Sequence, residues 1–427
     1  MFKSATRQPA ERLGGPFAPT SERLEAAIEQ IALAGDESGS AVSPAARRAA
    51  FAQYEALPIP GTRPARGWRH DYAKLSFAGL QWEPNPEVLR VAAPRDERAL
   101  AEPLGGAKRT RPEVDVPWSR MFEPFAADKF AQLAIAFQNC GAYIYVPEGV
   151  VLEEPIQLVF SSPQIEPYAQ ALFPQIVVVL GKGARATVLE RHLGEGQPFL
   201  CGIVAAHLAD GANLEYGVVQ NASEEARLFV YRNALCQKGA TIRWHLAELG
   251  GMLARSVVAA TLDGHGAHAQ TAALFFNTRL QHADLTTTTD HAAGATSSQT
   301  IVRSAATDRG QGRYFGNIVI RKDAHGADAS LRDDALLLSR HARIESVPAL
   351  EIGANDVKAF HGATVGSLDD ETLFYVQSRG ISRSEAIRMV ALAFFEPAIT
   401  PLPNEHLRDE VRSALDRKLD EATEIDA

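Results

Sequence analysis

A Gly-Ala pair recurs through the middle of this chain, and it limits the possible folds more than any other feature. Consecutive copies begin 28, 28, 27 and 28 residues apart. Alternating or β-branched residues follow each copy, as expected of short strands. Glycine permits a tight turn, and alanine is small enough to stack on its own copies. The copies are Gly183-Ala184, Gly211-Ala212, Gly239-Ala240, Gly266-Ala267 and Gly294-Ala295.

A fixed period with short strands between turns is typical of a solenoid. The repeat predicts strands over residues 126–365, with further turns at Gly326-Ala327 and Gly362-Ala363. Long connecting helices are missing from the pattern, which argues against a doubly wound α/β sheet. A β-helix or a β-roll therefore fits this region best.

Residues 1–125 have the pattern of helix and linker. Leu24 and Ile28 recur at helical spacing after Thr20-Ser21, which can cap a helix start. A second helix is predicted to open at Ser43-Pro44, because proline is favoured at the first helical position. The proline-rich stretch that follows residue 80 stays unassigned.

Residues 366–427 return to a helical pattern with three predicted helices. Asp369 suits the N-terminus of the first helix, and Gly380 suits its end. A capping box at residues 382–385 opens the second helix, which is predicted to end before Pro397.

The third predicted helix begins near Asn404 and carries one apolar stripe. The stripe either packs on the chain's own domain or forms a docking face for another protein, and the sequence leaves both open. Its members fall every four residues and are Leu407, Val411, Leu415 and Leu419.

Charge and hydropathy argue against two kinds of partner. The chain has 43 basic and 52 acidic side chains, and its net charge of −9 disfavours a broad nucleic-acid surface. The N-terminal segment lacks the apolar run of a secretory signal. The most apolar stretch, residues 176–180, is far shorter than the roughly 20 residues that span a bilayer. We therefore expect a cytoplasmic protein with no nucleic-acid partner and no membrane partner.

The cysteines are few, odd in number and widely separated, which argues against a disulfide framework. The sequence contains no CxxC pair, so a structural zinc site or a self-contained cluster is not expected. Each thiol is predicted to be a small buried apolar group. The three cysteines are Cys140, Cys201 and Cys236.

A GxGxxA pattern at residues 181–186 resembles a dinucleotide-binding fingerprint. That fingerprint should open a helix, but the residues that follow favour a strand at least as much. The pattern also falls on the 28-residue repeat. A solenoid turn is therefore the favoured interpretation.

Histidines and adjacent carboxylates offer two further candidate sites. His265 and His291 could stack one coil apart as a metal site, with surface turn histidines as the alternative. Asp333 and Asp334 could resemble a glycosidase pair, but adjacent strand residues point to opposite faces. The acidic pair at 369–370 fits a helix cap instead. The sequence contains no nucleophile elbow, HExxH zinc motif or phosphate loop.

The stretch at residues 348–381 is the most specific part of the chain. It reads PALEIGANDVKAFHGATVGSLDDETLFYVQSRGI. It resembles the C-terminal signature of the SufB/SufD family of iron–sulfur cluster assembly scaffolds, which is P-x-L-E-I, D-V-x-x-x-H-G-A-T-x-G, L-D-x-x-x-L-F-Y and S-R-G-I. The segment at 143–158 and the aromatic motif at 67–72 are similar to other parts of the family pattern, so the resemblance covers most of the chain.

The resemblance implies a mainly β fold, a right-handed parallel β-helix flanked by helical regions. This architecture agrees with the three regions that the sequence pattern defines, 1–125, 126–365 and 366–427. It implies a non-catalytic scaffold subunit that pairs with a SufB-like paralogue through the β-helix. A SufC-like ABC-type ATPase would bind the C-terminal helices. The short chain and low cysteine content favour the SufD branch of the family, and a homodimer of the isolated chain is left open.

His361 is the site residue that the resemblance carries over, since it matches the histidine of the HGAT motif. The family's histidine is proposed as an iron or cluster ligand at the subunit interface, and neutral imidazole suits iron. A transient cluster or iron at that interface is therefore expected, with no permanent cofactor in the isolated chain. Ala359 stands where many relatives carry cysteine, so His361 would act alone or with the partner's residues. A turn histidine that hydrogen-bonds the end of the β-helix is the structural alternative.

The partner-binding surface is expected on the first C-terminal helix. The predicted residues are Asp369, Leu373, Phe374, Tyr375, Arg379 and Gly380.

Two other functions are compatible with a β-helix. A carbohydrate-active enzyme of the lyase class would need a carboxylate or basic cluster in a groove, and the sequence shows no such cluster. A purely structural scaffold without metal contact is the other alternative, and replacing His361 separates it from the ligand hypothesis.

Overall fold

The computed structural model describes residues 19–34, 42–60, 80–81, 88–104, 117–161, 169–193 and 198–422, with the single residues 72, 75, 77 and 196. The aromatic motif predicted at 67–72 lies outside the described residues except for Tyr72, which is fully buried. None of the described helices is long and apolar enough to cross a membrane.

Strands dominate the described part of the chain, and most of them are parallel. In chain order they are β1 Leu80–Gln81, β2 Leu89–Ala92, β3 Leu100–Pro103, β4 Cys140–Val146, β5 Ile156–Ser161, β6 Ala169–Leu172, β7 Pro174–Leu180, β8 Arg185–Leu193, β9 Phe199–Leu208, β10 Asn213–Gln220, β11 Arg227–Cys236, β12 Thr241–Glu248, β13 Leu253–Leu262, β14 His268–Asn277, β15 His282–His291, β16 Ser297–Ala306, β17 Gln311–Ile320, β18 Ala327–Leu337, β19 Arg343–Ile352 and β20 Val357–Ser367.

The strands form two sheets that share one interior. The first sheet runs β19-β17-β15-β13-β11-β9-β7-β4-β3, and the second runs β2-β5-β8-β10-β12-β14-β16-β18-β20. From β7 onward, each strand pairs in parallel with the strand two places along the chain, and short turns link the sheets. The predicted mainly β solenoid with helices at both ends is confirmed.

The repeated glycines form a ladder of turns along one corner of the solenoid. Gly183, Gly211 and Gly239 have φ angles of 66°, 67° and 63°, which only glycine adopts without strain. Each of these glycines donates its amide N–H to a carbonyl of the next coil, at 2.8–3.0 Å. Gly266 and Gly326 also have positive φ, so these predicted turns are confirmed.

The predicted turn at Gly294-Ala295 is present, but Ala295 and not the glycine takes the left-handed conformation (φ 54°), so Ser297 is the residue that pairs with His268. The turn predicted at Gly362 is wrong. Gly362 lies inside β20 opposite Arg332, so it forms no turn. The chain stays extended there because β18 offers a paired strand along its whole length.

Helices flank the solenoid at both ends. Ser43 accepts a hydrogen bond from the Ala46 amide and caps the second helix as predicted. The first two solenoid strands also gain antiparallel partners from the N-terminal region, β3 on β4 and β2 on β5. The helices are α1 Ser21–Ala34, α2 Pro44–Ala56, α3 Trp118–Phe122, α4 Lys129–Ala136, α5 Asp370–Gln377, α6 Arg383–Ile399 and α7 Glu405–Glu421.

The C-terminal helices follow the predicted capping with one correction. The capping box at Ser382 and Glu385 opens α6, and Asn404 caps α7. The prediction that the middle helix ends before Pro397 is wrong, because α6 runs to Ile399. Proline near the end of a helix removes one backbone hydrogen bond, and the Thr400 amide still donates to the Glu396 carbonyl at 2.8 Å.

The C-terminal helices lie along the outer face of the second sheet. The whole apolar stripe of α7 is buried there, so the interpretation that it packs on its own domain is confirmed. Six successive strands of the sheet contribute to this contact. Their residues are Leu189, Val219, Ala247, Leu274, Ala305 and Leu336.

A buried ionic cluster interrupts the apolar interior. Arg232 Nη2 donates to Glu190 Oε1 at 2.9 Å, and the Tyr216 hydroxyl donates to Glu190 Oε2 at 2.6 Å. His192 also contacts Glu190 through Nε2. Burial is the largest influence on the pKa of Glu190 and acts to raise it, but Arg232, His192 and Tyr216 together outweigh burial and the pKa is lowered. The cluster is therefore a paired one, as buried charges require.

Candidate functional site

The last coil leaves both sheets with an open edge. Among the described strands, β19 pairs with β17 alone and β20 pairs with β18 alone. The outer backbone N–H and C=O groups of these two long strands therefore face away from the solenoid. An open edge of this kind is a template for strand pairing with another chain.

Exposed apolar side chains are concentrated on this last coil. Phe360 on β20 is 61% exposed, and three other large apolar residues on the two strands are also exposed. They are Val347, Ile352 and Val365. We call β19 and β20 with these four side chains the open end.

His361 lies on β20 within the open end and is exposed. The alternative of a turn histidine is wrong, because His361 pairs in register with Leu331 of β18. Leu331 belongs to the interior core, and paired residues of neighbouring parallel strands share a face. His361 therefore lies on the inner face of the last coil, at the mouth of the solenoid.

Asp333 lies one coil further in, on the same inner face. It alternates along β18 with the core residues Ala329, Leu331 and Ala335, and it is fully buried. Neither carboxylate oxygen has a hydrogen-bond partner in the described part of the chain. The Ser346 hydroxyl lies near the carboxylate from β19 and acts to lower its pKa, although the two do not form a well-aligned hydrogen bond. Burial raises the pKa of Asp333 to about 7.

Asp334 points outward, as predicted for the neighbour of an inward residue on a strand. Its carboxylate is paired with Arg303 of β16 and accepts a hydrogen bond from Arg332 at 2.9 Å. The Thr364 hydroxyl of β20 also donates to it. The guanidinium of Arg303 in turn lies 5.6 Å from the ring centroid of Phe394 on α6. These contacts connect the last coil to the C-terminal helices and leave no paired-carboxylate catalytic site at Asp333 and Asp334.

The predicted partner-binding residues divide into capping, core and surface groups. Asp369 caps α5 by accepting the Thr372 amide at 2.9 Å, and Gly380 follows that helix with a φ of 86°. Leu373 is buried in the core beneath α5. Phe374 and Tyr375 are exposed side by side on the helix, which makes them the accessible members of the set.

Arg379 extends this exposed surface. Its guanidinium lies 5.0 Å from the ring centroid of Tyr375, and Nη2 donates to the Tyr375 hydroxyl at 3.0 Å. We call Phe374, Tyr375 and Arg379 the helix patch.

The other candidate ligands are engaged elsewhere. His291 is fully buried, and its ring nitrogens contact Thr296 Oγ1 and Ser298 Oγ, both at 2.9 Å. It pairs with Leu262 and not with the turn of His265, so a metal site of those two histidines is not formed. The described residues contain no group of three or more His, Cys, Asp or Glu side chains that could hold a metal ion.

The three cysteines are buried, as predicted. Burial raises the pKa of Cys140 to about 12 and raises that of Cys201 and Cys236 as well. They are therefore thiols at neutral pH and are poor ligands. The GxGxxA pattern opens strand β8 after a turn at Gly183, so the nucleotide-binding interpretation fails.

Comparison with known proteins gives a consistent result. A family model for the "SUF system FeS cluster assembly, SufBD core domain" matches residues 162–394, more than half of the chain. The iron–sulfur cluster assembly protein SufB of Bacillus subtilis is 28% identical over 292 residues, 68% of this chain and 62% of that protein. SufD of the same organism is 29% identical over 295 residues, 68% of this chain and 67% of that protein.

A SufBD family protein of Mycobacterium leprae is 29% identical over 268 residues, 62% of this chain and 30% of that protein. The chain thus spans less than two thirds of the length of some of these relatives. Its similarity to SufB and to SufD is nearly equal.

Proposed function

Since the chain belongs to the SufBD family of the SUF system for iron–sulfur cluster assembly, we propose that it is a SufD-like, non-catalytic scaffold subunit of a cytoplasmic assembly complex. In this proposal it pairs with a SufB-like subunit and binds a SufC-like ATPase. A nascent cluster, or the iron destined for it, is held between the two scaffold subunits as cargo.

The open end carries this proposal. Strands β19 and β20 are each paired on one side only, and together they expose four apolar side chains. Such an edge is unfavourable in water and prone to nonspecific pairing. A partner with a matching solenoid end would continue both sheets and cover these side chains. The SufB-like subunit is therefore assigned to the open end.

His361 supplies the ligand chemistry at that interface. It is exposed on the inner face of the last coil, where a covering partner would enclose it. Neutral imidazole binds iron, and one ligand from each subunit would hold cargo that can still be released. Ala359 on the same strand offers no thiolate, so sulfur ligands would come from the partner or the cargo.

The helix patch is assigned to the ATPase subunit. Exposed aromatic side chains with a stacked arginine are the residue types enriched at protein interfaces. A series of side-chain contacts links the C-terminal helices to the open end, from Phe394 to Arg303, Asp334 and Thr364. Movement of the helices by ATP-driven dimerisation would thus reach the interface by direct contacts, which a two-state coupling requires.

The test replaces His361 with alanine in the full chain co-expressed with its SufB-like and SufC-like partners. We expect the complex to co-purify in normal amounts and to lose most of its iron and acid-labile sulfide. His341→Ala is the matched control, since His341 is also an exposed histidine near the end of the solenoid. Normal iron and sulfide in the His361→Ala complex would leave a purely structural scaffold. Failure of the wild-type chain to bind either partner would contradict the assignment of the subunit itself.

A further inference from the structure

The buried carboxylate of Asp333 reduces the stability of the fold. A carboxylate removed from water without a well-formed hydrogen bond or a counter-charge in contact costs several kcal/mol or must take up a proton. An amide or an apolar residue of similar size at this position would be less costly. A costly group that packing does not require is a sign of a functional site.

Asp333 and His361 lie on the same inner face of neighbouring strands. His361 pairs with Leu331, and Ala363 pairs with Asp333, so the two side chains are diagonal neighbours. With strands about 4.8 Å apart and a rise of about 3.3 Å per residue, the Cα atoms of such diagonal neighbours are about 8 Å apart. Ala363 places just a methyl group opposite the carboxylate. Both carboxylate oxygens are shielded from solvent, so an ion would reach them through a small displacement of β20 at Ala363.

Carboxylate and imidazole are together the ligands of choice for non-haem ferrous iron. We propose that Asp333 and His361 form a half-site for Fe²⁺ at the mouth of the solenoid, with the remaining coordination positions open to water or to ligands of the partner subunit. The inference rests on the proposed function, and it adds a second protein ligand and a preferred form of the cargo. Iron would enter as the free ion before the interface closes.

The half-site predicts metal binding by the full chain without its partners. Binding of Fe²⁺ under anaerobic conditions is measured by calorimetry, and Co²⁺ is used as a probe with visible absorption bands. Because loss of an outer-shell partner already weakens metal binding by about 10- to 100-fold, Asp333→Asn and His361→Ala should each weaken it by at least about tenfold. Asp328→Asn is the matched control, since Asp328 is exposed on the same strand.

Folding is checked separately for each variant. Asp333→Asn removes an unpaired buried charge, so its thermal midpoint should equal or exceed that of the wild type. Weakened metal binding together with an unchanged or higher midpoint identifies a ligand, whereas a purely structural Asp333 would not produce this combination. Loss of the fold in Asp333→Asn would contradict the premise that the carboxylate is costly.

Three results would overturn the half-site without touching the proposed function. The first is wild-type affinity for Fe²⁺ and Co²⁺ in Asp333→Asn, and the second is no binding of either ion by the wild-type chain at about 1 mM. In both cases the iron and sulfide content of the His361→Ala complex still decides the scaffold role. The third is a complex that loads clusters normally with Asp333→Asn but not with His361→Ala, which would keep His361 and reject Asp333.

Discussion

Ala295 carries a side chain at a turn position that its neighbours in the ladder fill with glycine. Its φ of 54° lies in the left-handed region, where an L-residue is strained by roughly 1–2 kcal/mol. Its amide donates to the His325 carbonyl at 2.8 Å, so the ladder continues through it. The stack of coils therefore imposes the conformation on a residue that does not favour it.

Exchanging glycine and alanine at two coils tests this view. Ala295→Gly should raise the free energy of unfolding by about 0.5–1 kcal/mol, because relief of strain exceeds the entropy that glycine adds to the unfolded chain. Gly239→Ala should lower it by about 1–2 kcal/mol. A Cβ on Gly239 would meet no atom within 4 Å, so that cost is conformational and not steric. Chemical denaturation measures both, and equal stabilities for the two variants and the wild type would contradict the argument.

At the scale of elements, one buried lysine fixes the last helix to the solenoid. Lys418 of α7 donates to the Leu249 carbonyl and to Gln281 Oε1, which lie in two successive coils. Its ammonium is 5.7 Å from the ring centroid of Phe276. Burial lowers the pKa of Lys418 to about 7. Hydrogen bonds from the Lys418 side chain therefore hold α7 on the solenoid, although burial favours the neutral amine over the charged ammonium.

The stability of the protein should depend on pH through Lys418. Its folded pKa of about 7 lies below the ordinary value of 10.5, so the unfolded chain binds the extra proton between these pH values. Stability should rise with pH in that window, by up to about 1.4 kcal/mol per unit, and the cost of burial should be fully present below pH 7. Lys418→Met removes this titrating group. The unfolding free energy of the wild type minus that of the variant should therefore increase from pH 7 to pH 10. Lys238→Met changes an exposed lysine and should give no such trend, and a flat difference for Lys418→Met would contradict the buried charge.

Turns and helix caps could be predicted from the sequence where neighbouring residues determine them. The turns at Gly183, Gly211 and Gly239 and the caps of α6 and α7 follow from residues near each other in the chain. The turn predicted at Gly362 was wrong, because pairing with β18 outweighs the local preference of a Gly-Ala pair. Strand register also decides which residues face inward.

Register is the reason that part of the site escaped prediction. Adjacent aspartates at 333 and 334 were correctly expected on opposite faces, but the sequence does not say which one is buried. The alternation of Asp333 with Ala329, Leu331 and Ala335 is the signal that could have identified it. His361 was found through a family motif, and its place on a strand required the pairing with Leu331.

At the scale of the whole molecule, the solenoid has two different ends. The N-terminal end is covered by antiparallel strands and by helices that share a core with the first sheet. The C-terminal end has no strand beyond β19 and β20 in the described part of the chain. Growth of the sheets is therefore stopped at one end and is possible at the other, which gives the molecule a direction for assembly.

A single charge at the open end should separate assembly from folding. Phe360→Lys places a positive charge on the exposed β20 and should weaken binding of the proposed SufB-like partner by at least about tenfold, since lysine on an edge strand opposes pairing. The circular dichroism spectrum and thermal midpoint should stay unchanged because Phe360 is exposed. Leu280→Lys is the matched control, for Leu280 is also exposed but lies in a turn far along the chain from the open end. Undiminished partner binding by Phe360→Lys, measured by calorimetry or co-purification, would rule out the open end as the interface.

The C-terminal helices cross six successive strands of one sheet, and this has a mechanical consequence. A pull on these helices along the solenoid would load six coils at once in shear, whereas a pull on a free strand edge would peel the coils apart one at a time. The helices therefore brace the stacked coils along their length. A force applied to these helices would therefore move the six coils together as one rigid body and would not separate them one by one.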